Sequence, residues 1–499
     1  MQIKSLFLFD PYTIKLPIYM HLEIHIYNAL TTKTRKTKMV TSSISSNFLF
    51  HCFLLLSFFF VAITQAEVPS EQTFNFINHG EFGKPKAEYN ANYRVIQTKN
   101  HNFFTYPFQL CFYSTIPGSY ILAIRAGIPG DQTPMRWVWD ANRNHPVGEN
   151  ATLSFGSTGN LVLAESNGRI VWQTDTAYRG ITGIKLLQNG NLVLHDPQGR
   201  PIWQSFDHPT DTLLVGQSLW THGVNKLVSR RSDTDGSDGP YSLVHQENRG
   251  LYLYVEDNHG QLIRYNGWLY SQHSATVILE GKPAADDNNN HKSSANNYEL
   301  TFTIYGSQRA TINPQLPPPI DIFTLRKVNY NTTLSFVRIG SDGNLKAYTY
   351  QVGSNGRRSK WEESYAYFST YWASLCTLPT RCGSFGLCER GVCLACPTPK
   401  GLVSWNKSCS PPKLPPCTTS GAVAANKKVN YFNVTGAQHF TSNEAVGGEG
   451  MSFEECKSKC DTDCKCLGFV MFEDFRCIIA TVLGTLSKTQ KNYTAYIKY

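Results

Sequence analysis

The carboxylate and histidine side chains whose spacing could support catalysis or metal binding are few, and none completes a site. Glu362 and Glu363 are adjacent, so on a β-strand they point to opposite faces, whereas a glycosidase needs two carboxylates that flank one bond. His208 and Asp211 stand in DHPTDT, which is typical of a turn. The acidic run DTDGSDG at 233–239 lacks the spacing of an EF-hand and indicates a solvated loop. We therefore expect no enzyme activity, no cofactor and no bound metal.

The cysteines offer disulfide chemistry, and they are unevenly distributed. Twelve of the fourteen cysteines follow residue 375. Small modules bury too little apolar surface to be stable without crosslinks, so this clustering predicts a domain boundary near residue 373 with disulfide-stabilised modules after it. Cys393 and Cys396 could instead belong to a zinc site, but neither a second CxxC pair of the right form nor a nearby histidine accompanies them.

One cysteine of the remaining chain stands apart from these clusters. Cys111 lies in the run QLCFYST, which reads as a strand. An odd cysteine in a secreted protein can bridge to another chain. We expect a buried free thiol, because unpaired cysteine behaves as a small apolar residue, and the intermolecular bridge is the alternative.

An internal repeat indicates the secondary structure of the first part of the chain. Residues 159–173, GNLVLAESNGRIVWQ, and 190–204, GNLVLHDPQGRPIWQ, are identical at nine of fifteen positions. Each alternates apolar and polar residues, turns at a glycine and then reaches a tryptophan, as a β-hairpin does. A looser copy reaches Trp139, so that Trp139, Trp172 and Trp203 recur at nearly equal steps. One hairpin cannot bury a tryptophan, so the repeat predicts three hairpins around a pseudo-threefold axis.

The N-terminal segment 1–66 has the features of a targeting sequence. Residues 48–63 are almost wholly apolar, and small residues follow them as at a signal-peptide cleavage site. We expect translation to start at Met39 rather than Met1, and the mature chain to start at Glu67. No second apolar run of about twenty residues follows, which predicts a secreted chain without a membrane span.

The composition of the mature chain fits an extracellular glycoprotein. The formal net charge is +9, and residues 1–66 carry six basic and two acidic residues, which leaves +5. That charge is mild, and no basic stripe interleaves with aromatic residues, so we expect no nucleic-acid binding. The chain has sequons for N-glycosylation at Asn150, Asn331, Asn406, Asn433 and Asn492.

Several long motifs resemble a known family. The run WVWDANRNHPV at 137–147, both GNLVL segments and IWQSFDHPTDTLLVGQ at 202–217 closely resemble the bulb-type, mannose-binding lectin domain, in particular that of plant S-domain proteins. The resemblance implies a three-faced β-prism over residues 76–220, in agreement with the threefold repeat. Residues 221–372 again alternate apolar and polar residues, and GNLKAYTY at 343–350 echoes the GNLVL segments, so we expect a diverged second prism there.

The two cysteine clusters resemble small extracellular modules. Residues 373–411 resemble an EGF-like module, and residues 417–499 resemble a PAN/apple domain of α+β type. Six cysteines allow fifteen pairings. The resemblance implies Cys376–Cys388, Cys382–Cys393 and Cys396–Cys409 in the first module, and Cys456–Cys477 and Cys460–Cys466 in the second, which leaves Cys417–Cys464. The whole order is similar to that of the secreted epidermis-specific glycoproteins of plants, and no kinase signature is present.

The second cysteine cluster contains a sequence signal for the start of a helix. Ser452 and Glu455 have the spacing of a capping box, which predicts a short helix that begins after Ser452. Cys456 and Cys460 would then share one face of this helix. The apolar run LGFVMF at 467–472 predicts a strand after it.

The resemblance also implies where a sugar would bind. The family's mannose pocket uses the pattern Q-x-D-x-N-x-V-x-Y, whose alternation places five side chains on one face of a strand. When the asparagine of the pattern is aligned to each GNL, no copy is complete, and Lys346 replaces the valine in the second prism. The candidate residues are Asn160 and Val162 in the first repeat, Asn189, Asn191 and Val193 in the second, and Asp342, Asn344 and Tyr348 in the second prism.

Two functions of different classes remain open. The first is recognition of mannose-type carbohydrate in the extracellular space or cell wall, weakened by the degenerate motifs and best at Asp342, Asn344 and Tyr348. The second is a role without sugar binding, in which the PAN and EGF-like modules contact an extracellular protein or receptor. In the second case the candidate residues only form strands and turns.

Overall fold

The computed structural model describes residues 67–247, 249–269, 274–283, 298–306, 319–328, 334–353, 357–370, 373–414, 429–442 and 449–499. The expectations for segment 1–66, for the sequon at Asn331 and for Cys417 lie outside these residues. Strands dominate the described chain, which confirms the predicted mainly-β fold class. Short 3-10 helices occur at Ser70–Gln72, Glu88–Asn90, Ser205–Asp207, Tyr367–Ser369 and Leu375–Thr377.

The first part of the described chain forms three antiparallel sheets around one core. Its strands are β1 (Phe74–Ile77), β2 (Asn92–Val95), β3 (Phe104–Thr105), β4 (Phe108–Ile116), β5 (Ser119–Ala126), β6 (Arg136–Asp140), β7 (Thr152–Phe155), β8 (Leu161–Ala164), β9 (Ile170–Gln173), β10 (Gly183–Leu186), β11 (Leu192–His195) and β12 (Pro201–Gln204). The sheets have the orders β1-β7-β8-β9, β2-β4-β5-β6 with β3 on β4, and β10-β11-β12. Leu161 and Leu163 of the first repeat and Leu192 and Leu194 of the second all point into this core, as their alternation predicts.

The three repeat tryptophans meet in this prism. The ring centroids are 6.0 Å apart for Trp139 and Trp172, 6.2 Å for Trp139 and Trp203, and 5.9 Å for Trp172 and Trp203. All three pairs are edge-to-face, the arrangement that aromatic quadrupoles favour. The nearly equal distances confirm the pseudo-threefold packing that the repeat predicts.

The next part of the chain forms a second prism. Its strands are β13 (Thr212–Leu214), β14 (Ser218–Trp220), β15 (Lys226–Arg230), β16 (Asp238–Gln246), β17 (Gly250–Glu256), β18 (Leu262–Leu269), β19 (Ser274–Pro283), β20 (Tyr298–Gly306), β21 (Asp321–Val328), β22 (Ser335–Ile339), β23 (Leu345–Gln351) and β24 (Lys360–Ala366). They form three four-stranded sheets with the orders β13-β22-β23-β24, β14-β19-β20-β21 and β15-β16-β17-β18. The predicted second prism is therefore present. Its first two strands precede residue 221, because β13 pairs with β22 and β14 with β19.

The two prisms share a core surface. Successive residues of a strand point to opposite faces, and Val337 on β22 packs into the second prism while its neighbour Phe336 packs with the core of the first. Tyr350 and Trp361 join Phe336 on that side. The indole nitrogen of Trp361 donates a hydrogen bond to the carbonyl oxygen of Ala126 at 3.2 Å. The sheet β13-β22-β23-β24 is thus buried on both faces over part of its area.

Buried ion pairs cross the same boundary. Arg338 of the second prism lies 2.9 Å from the Glu88 carboxylate of the first, and it also donates to the carbonyl oxygen of Trp137. Arg136 binds the same Glu88 oxygen at 2.5 Å. Buried charges are tolerated only when they are paired, so the contacts of Arg338 hold the two prisms together, while the Arg136 pair lies within the first prism.

The C-terminal region forms two further sheets and one helix in the described residues. Its elements are β25 (Phe385–Glu389), β26 (Val392–Thr398), β27 (Gly401–Ser404), β28 (Tyr431–Thr435), β29 (Ala437–His439), β30 (Glu449–Gly450), α1 (Phe453–Thr462), β31 (Gly468–Met471), β32 (Arg476–Ala480), β33 (Gly484–Lys488) and β34 (Thr494–Lys498). The sheet orders are β27-β26-β25-β33-β29 and β28-β34-β31-β32-β30. β33 pairs in parallel with β25, so the two regions predicted as EGF-like and PAN/apple contribute to one sheet.

The helix and the disulfides of this region follow the sequence. The side chain of Ser452 accepts a hydrogen bond from the Glu455 amide at 3.3 Å, and the Glu455 carboxylate accepts one from the Ser452 amide at 2.7 Å, which confirms the predicted capping box. The described disulfides are Cys376–Cys388, Cys382–Cys393, Cys396–Cys409, Cys456–Cys477 and Cys460–Cys466, five of the pairs that the resemblance implies. Cys464 is also disulfide-bonded.

Cys111 is a free thiol with no exposed surface. Burial raises the pKa of this thiol to about 12, so it is neither charged nor accessible at neutral pH. This position fits the expected buried cysteine and not a bridge to another chain. The described sequon asparagines are all exposed: Asn150, Asn406, Asn433 and Asn492. Among the described residues, no helix has the length and apolar character needed to cross a membrane.

Candidate functional site

Each GNL segment begins with a glycine that the turn requires. Gly159, Gly190 and Gly343 have φ values of +82°, +85° and +79°, a left-handed conformation that side chains disfavour. A Cβ atom at Gly190 would lie 2.8 Å from the Phe108 ring. The glycine therefore sets both the turn and its close contact with the core, and it places the following asparagine at the start of an inner strand of each sheet.

Asn160, the asparagine of the first repeat, uses its side chain for hydrogen bonds within the protein. Its side-chain oxygen accepts hydrogen bonds from the Thr174 hydroxyl at 3.0 Å and the Thr176 amide at 3.2 Å. Its side-chain nitrogen donates to the Gln173 side chain at 3.0 Å. Asn160 thus ties the start of β8 to the chain that leaves β9.

The second repeat reproduces this arrangement. Asn191 donates to the Gln204 side chain at 2.8 Å and accepts from the Ser205 hydroxyl and the Phe206 amide, both at 3.2 Å. In the second prism, the side-chain oxygen of Asn344 accepts from the Phe368 amide at 3.1 Å. The shared geometry assigns this asparagine a structural connection in all three sheets.

The residues two positions before the asparagines act on the turn. The Asn189 side-chain oxygen accepts from the Asn191 amide at 3.2 Å, and the Asp342 carboxylate accepts from the Asn344 amide at 3.0 Å. Both Asn189 and Asp342 are exposed. They keep polar atoms at the surface, beside asparagines that are turned inward.

The two candidate valines differ in accessibility. Val193 is buried, whereas Val162 is half-buried opposite Gln173 in the sheet. A sugar ring that packs on a valine needs that side chain exposed, so the first repeat offers more apolar contact than the second.

In the second prism, the candidates Asp342 and Tyr348 lie on one polar surface with Lys346. Lys346, at the valine position, lies 3.5 Å from the Asp342 carboxylate and 3.5 Å from the Glu363 carboxylate. Burial opposes the charge of Lys346, but these carboxylates outweigh it and raise the pKa of the ammonium group. Tyr348 stacks on Phe336, with the guanidinium of Arg136 4.7 Å from its ring centroid. Because Arg136 comes from the first prism, the neighbouring domain covers part of this surface.

The acidic run at 233–239 is held by hydrogen bonds within its own loop. In the loop 233–239, the Asp235 carboxylate accepts hydrogen bonds from the amide and the hydroxyl of Ser237. These bonds lower the pKa of the Asp235 carboxyl. Within the described parts of the chain, no group of three or more histidine, cysteine, aspartate or glutamate side chains could hold a metal ion.

Similarity to known proteins extends over most of the chain. Residues 136–232 match the family model described as "D-mannose binding lectin". The chain is 49% identical over 470 residues to "EP1-like glycoprotein 2" of Arabidopsis thaliana, covering 89% of this chain and 98% of that protein. It is 45% identical over 367 residues to "Epidermis-specific secreted glycoprotein EP1" of Daucus carota, covering 70% and 90%.

A receptor kinase is a more distant relative. The chain is 27% identical over 384 residues to "G-type lectin S-receptor-like serine/threonine-protein kinase SD2-2" of Arabidopsis thaliana. The alignment covers 72% of this chain but only 42% of the kinase. The similarity to proteins named as glycoproteins is thus both higher and more complete.

Proposed function

Since the chain belongs to the family of EP1-like glycoproteins of plants, we propose that it is a secreted glycoprotein that binds mannose-type carbohydrate weakly through its lectin-type prisms. The observation that carries this proposal is the match of residues 136–232 to a mannose-binding lectin family. Much of this segment surrounds the tryptophan triad, where the threefold lectin architecture is retained.

The state of the candidate residues supports weak rather than tight binding. Asn160 and Asn191 spend their side-chain amides on hydrogen bonds within the protein. Each hydrogen bond that a ligand cannot make removes roughly 0.5–1.5 kcal/mol of affinity. We propose Asp342 and Tyr348 as the sugar contacts of the second prism, because the exposed Asp342 carboxylate is an acceptor for sugar hydroxyls.

Secretion and an extracellular or cell-wall location are part of the proposal. The disulfides Cys376–Cys388 and Cys456–Cys477 are typical of proteins that fold in an oxidising compartment. The four exposed sequon asparagines add sites for glycosylation.

A glycan array and titration calorimetry on the glycosylated protein test the proposal. We expect mannose-type glycans to bind with a Kd on the order of 1 mM for a monosaccharide. Asp342→Ala should weaken this binding about fivefold, since it removes one acceptor, while Asp321→Ala on another sheet of the same prism should have no effect. An array without signal, from protein with a normal thermal transition, would sink the lectin function.

A second candidate function is contact with another protein through the C-terminal modules. The observation that favours it is a set of exposed apolar side chains on β26 and the sheet-edge strand β27: Val392, Leu394, Leu402 and Val403. Sedimentation velocity on the wild type and on Leu402→Ser tests for self-association at this edge. A wild-type chain that stays monomeric at high concentration would remove self-association from this proposal.

A further inference from the structure

A cleft of about 590 Å³ lies over the tryptophan triad of the first prism, and none of the candidate strand residues lines it. Trp172 and Trp203 line it, and the imidazole of His208 stacks on Trp203 with ring centroids 5.3 Å apart and an angle of 17° between the planes. The cleft therefore has an aromatic floor.

Two exposed carboxylates stand at the rim of the cleft. Asp175 accepts a hydrogen bond from the Gln173 side chain at 2.7 Å, and Asp207 accepts one from the Gln204 side chain at 2.9 Å. In both cases the bond uses Oδ1, and Oδ2 accepts no hydrogen bond from the described residues. Arg179, also exposed, places a cation at the same rim.

The repeat asparagines position this rim. Asn160 donates to the Gln173 oxygen, and the Gln173 nitrogen in turn donates to Asp175. Asn191, Gln204 and Asp207 form the same relay in the second repeat. The GN residues that the repeats keep thus hold two carboxylates in equivalent places.

The cleft also contains unused donors. The indole N–H of Trp139 donates to the carbonyl oxygen of His208 at 2.9 Å. The indole N–H groups of Trp172 and Trp203 donate to no described residue. Buried tryptophans usually find a partner for this group, so two donors and two acceptors are open to a ligand at one place.

We propose that this cleft binds a neutral hexose oligosaccharide. The apolar C–H face of a pyranose packs on an aromatic ring, while its hydroxyls donate to carboxylates and its oxygens accept from N–H groups. The volume lies within the range of about 300–1,000 Å³ found for small-ligand sites. Two rim carboxylates against one guanidinium disfavour a uronic acid, because like charges repel.

The inference rests on the proposed carbohydrate recognition but assigns it to a different surface. Calorimetric titration of the intact glycoprotein with mannotriose, cellotriose and galacturonotriose separates the two. The cleft variants are the double change Asp175→Asn with Asp207→Asn, which keeps the acceptor for each glutamine, and His208→Ala, which removes the exposed stacked ring. Asp342→Asn tests the strand position of the second prism, and the matched control is Asp321→Asn, an equally conservative change of an exposed carboxylate on another sheet of that prism.

We expect one of the neutral trisaccharides to bind, with affinity lowered about tenfold by the double change and by His208→Ala but not by Asp321→Asn. Loss of binding in Asp342→Asn alone would overturn the cleft and leave the proposed function standing. No binding of a neutral trisaccharide to folded wild type would overturn both. Preference for galacturonotriose would overturn the neutral-sugar assignment. Circular dichroism and the thermal midpoint of each variant establish that it is folded.

Discussion

At the scale of single residues, the asparagine of each GN pair connects two parts of the chain. Asn191 is buried and makes three side-chain hydrogen bonds, to Gln204, Ser205 and Phe206. Its partners follow it by thirteen to fifteen residues. The same residue type at the same turn would serve a sugar site only if its amide were turned outward, which these contacts prevent.

Asn191→Ala should therefore reduce the stability of the fold. The change removes all three side-chain hydrogen bonds and leaves the Phe206 amide without this acceptor, so we expect a loss of about 2 kcal/mol in the free energy of unfolding. Denaturant unfolding followed by tryptophan fluorescence measures it. Gln188→Ala, an exposed change in the same turn, is the control. Equal stability of the two variants would contradict the structural role.

The stability of the C-terminal region should depend on pH through His439. This histidine is buried, and its ring nitrogens contact the Thr441 hydroxyl and the carbonyl oxygen of Val482, both at 2.7 Å. Burial lowers its pKa from 6.5 to about 4. The unfolded chain therefore binds more protons between these values, so stability is fully present above about pH 6.5 and falls as the pH drops toward 4.

The slope for one such group reaches at most about 1.4 kcal/mol per pH unit. Unfolding curves at pH 4.5, 5.5, 6.5 and 7.5 should show a slope in the wild type, and His439→Gln should reduce it by the share of this one group, because burial also lowers the pKa of His245 to about 4 and that contribution remains. His145→Gln, at an exposed position, should leave the slope unchanged. A His439→Gln variant with the wild-type pH dependence would show that this imidazole is protonated in the folded state.

At the scale of elements, the strands of the repeats were predictable and their partners across the molecule were not. Alternation over GNLVL assigns Leu161 and Leu163 to the core, and the tryptophan spacing predicts the triad. The run TLL at 212–214 carries no periodic signal, because three buried residues look alike from either prism. Its pairing with β22 depends on the packing of two sheets, which a local pattern does not encode.

The orientation of the asparagine side-chain amides could not be predicted, for a related reason. Alternation fixes which face of a strand a residue is on. It does not specify that the segment after the last strand of the sheet returns to form a hydrogen bond with the asparagine, as Thr176 does with Asn160. A signal was nevertheless present in the recurrence of glutamine at Gln173 and Gln204, each thirteen residues after its asparagine.

The ion pairs between the prisms predict a large effect of one arginine. Arg338 is buried and holds Glu88 at 2.9 Å and the Thr212 hydroxyl at 3.0 Å. Arg338→Met leaves the carboxylates of Glu88 and Asp211 with less compensation, and removal of one partner from a buried pair costs about 3–5 kcal/mol. Arg231→Met, which breaks an exposed pair with Asp235, should cost less than about 1 kcal/mol.

Denaturant unfolding of both arginine variants tests this difference. Equal midpoints for Arg338→Met and Arg231→Met would show that the prisms do not depend on the buried pair for their docking. A variant at Arg338 that gains a separate early transition would show instead that the pair links two units that can unfold independently.

At the scale of the whole molecule, neighbouring modules share core residues and a sheet and are not separate units joined by linkers. The first core contains Phe336, Tyr350 and Trp361 of the second prism. The second core in turn contains Phe440 of the C-terminal region, and β25 and β33 share a sheet. The described residues between 67 and 499 form one compact unit. Contacts of this kind couple the unfolding of neighbouring parts, because no part can open without exposing the core of the next.

We therefore expect the described modules to unfold in a single calorimetric transition, and a core change at the boundary to shift that transition without splitting it. Trp361 is buried between Tyr350 and Phe336, with ring centroids 4.9 and 5.0 Å away. Trp361→Ala should lower the stability by about 3–5 kcal/mol. Trp220→Ala is the matched control, since 49% of the Trp220 surface is exposed and little packing is lost. Scanning calorimetry measures the transitions. Two separated transitions in the wild type would mean that the shared core surface is too small to couple the prisms, and that each prism folds independently.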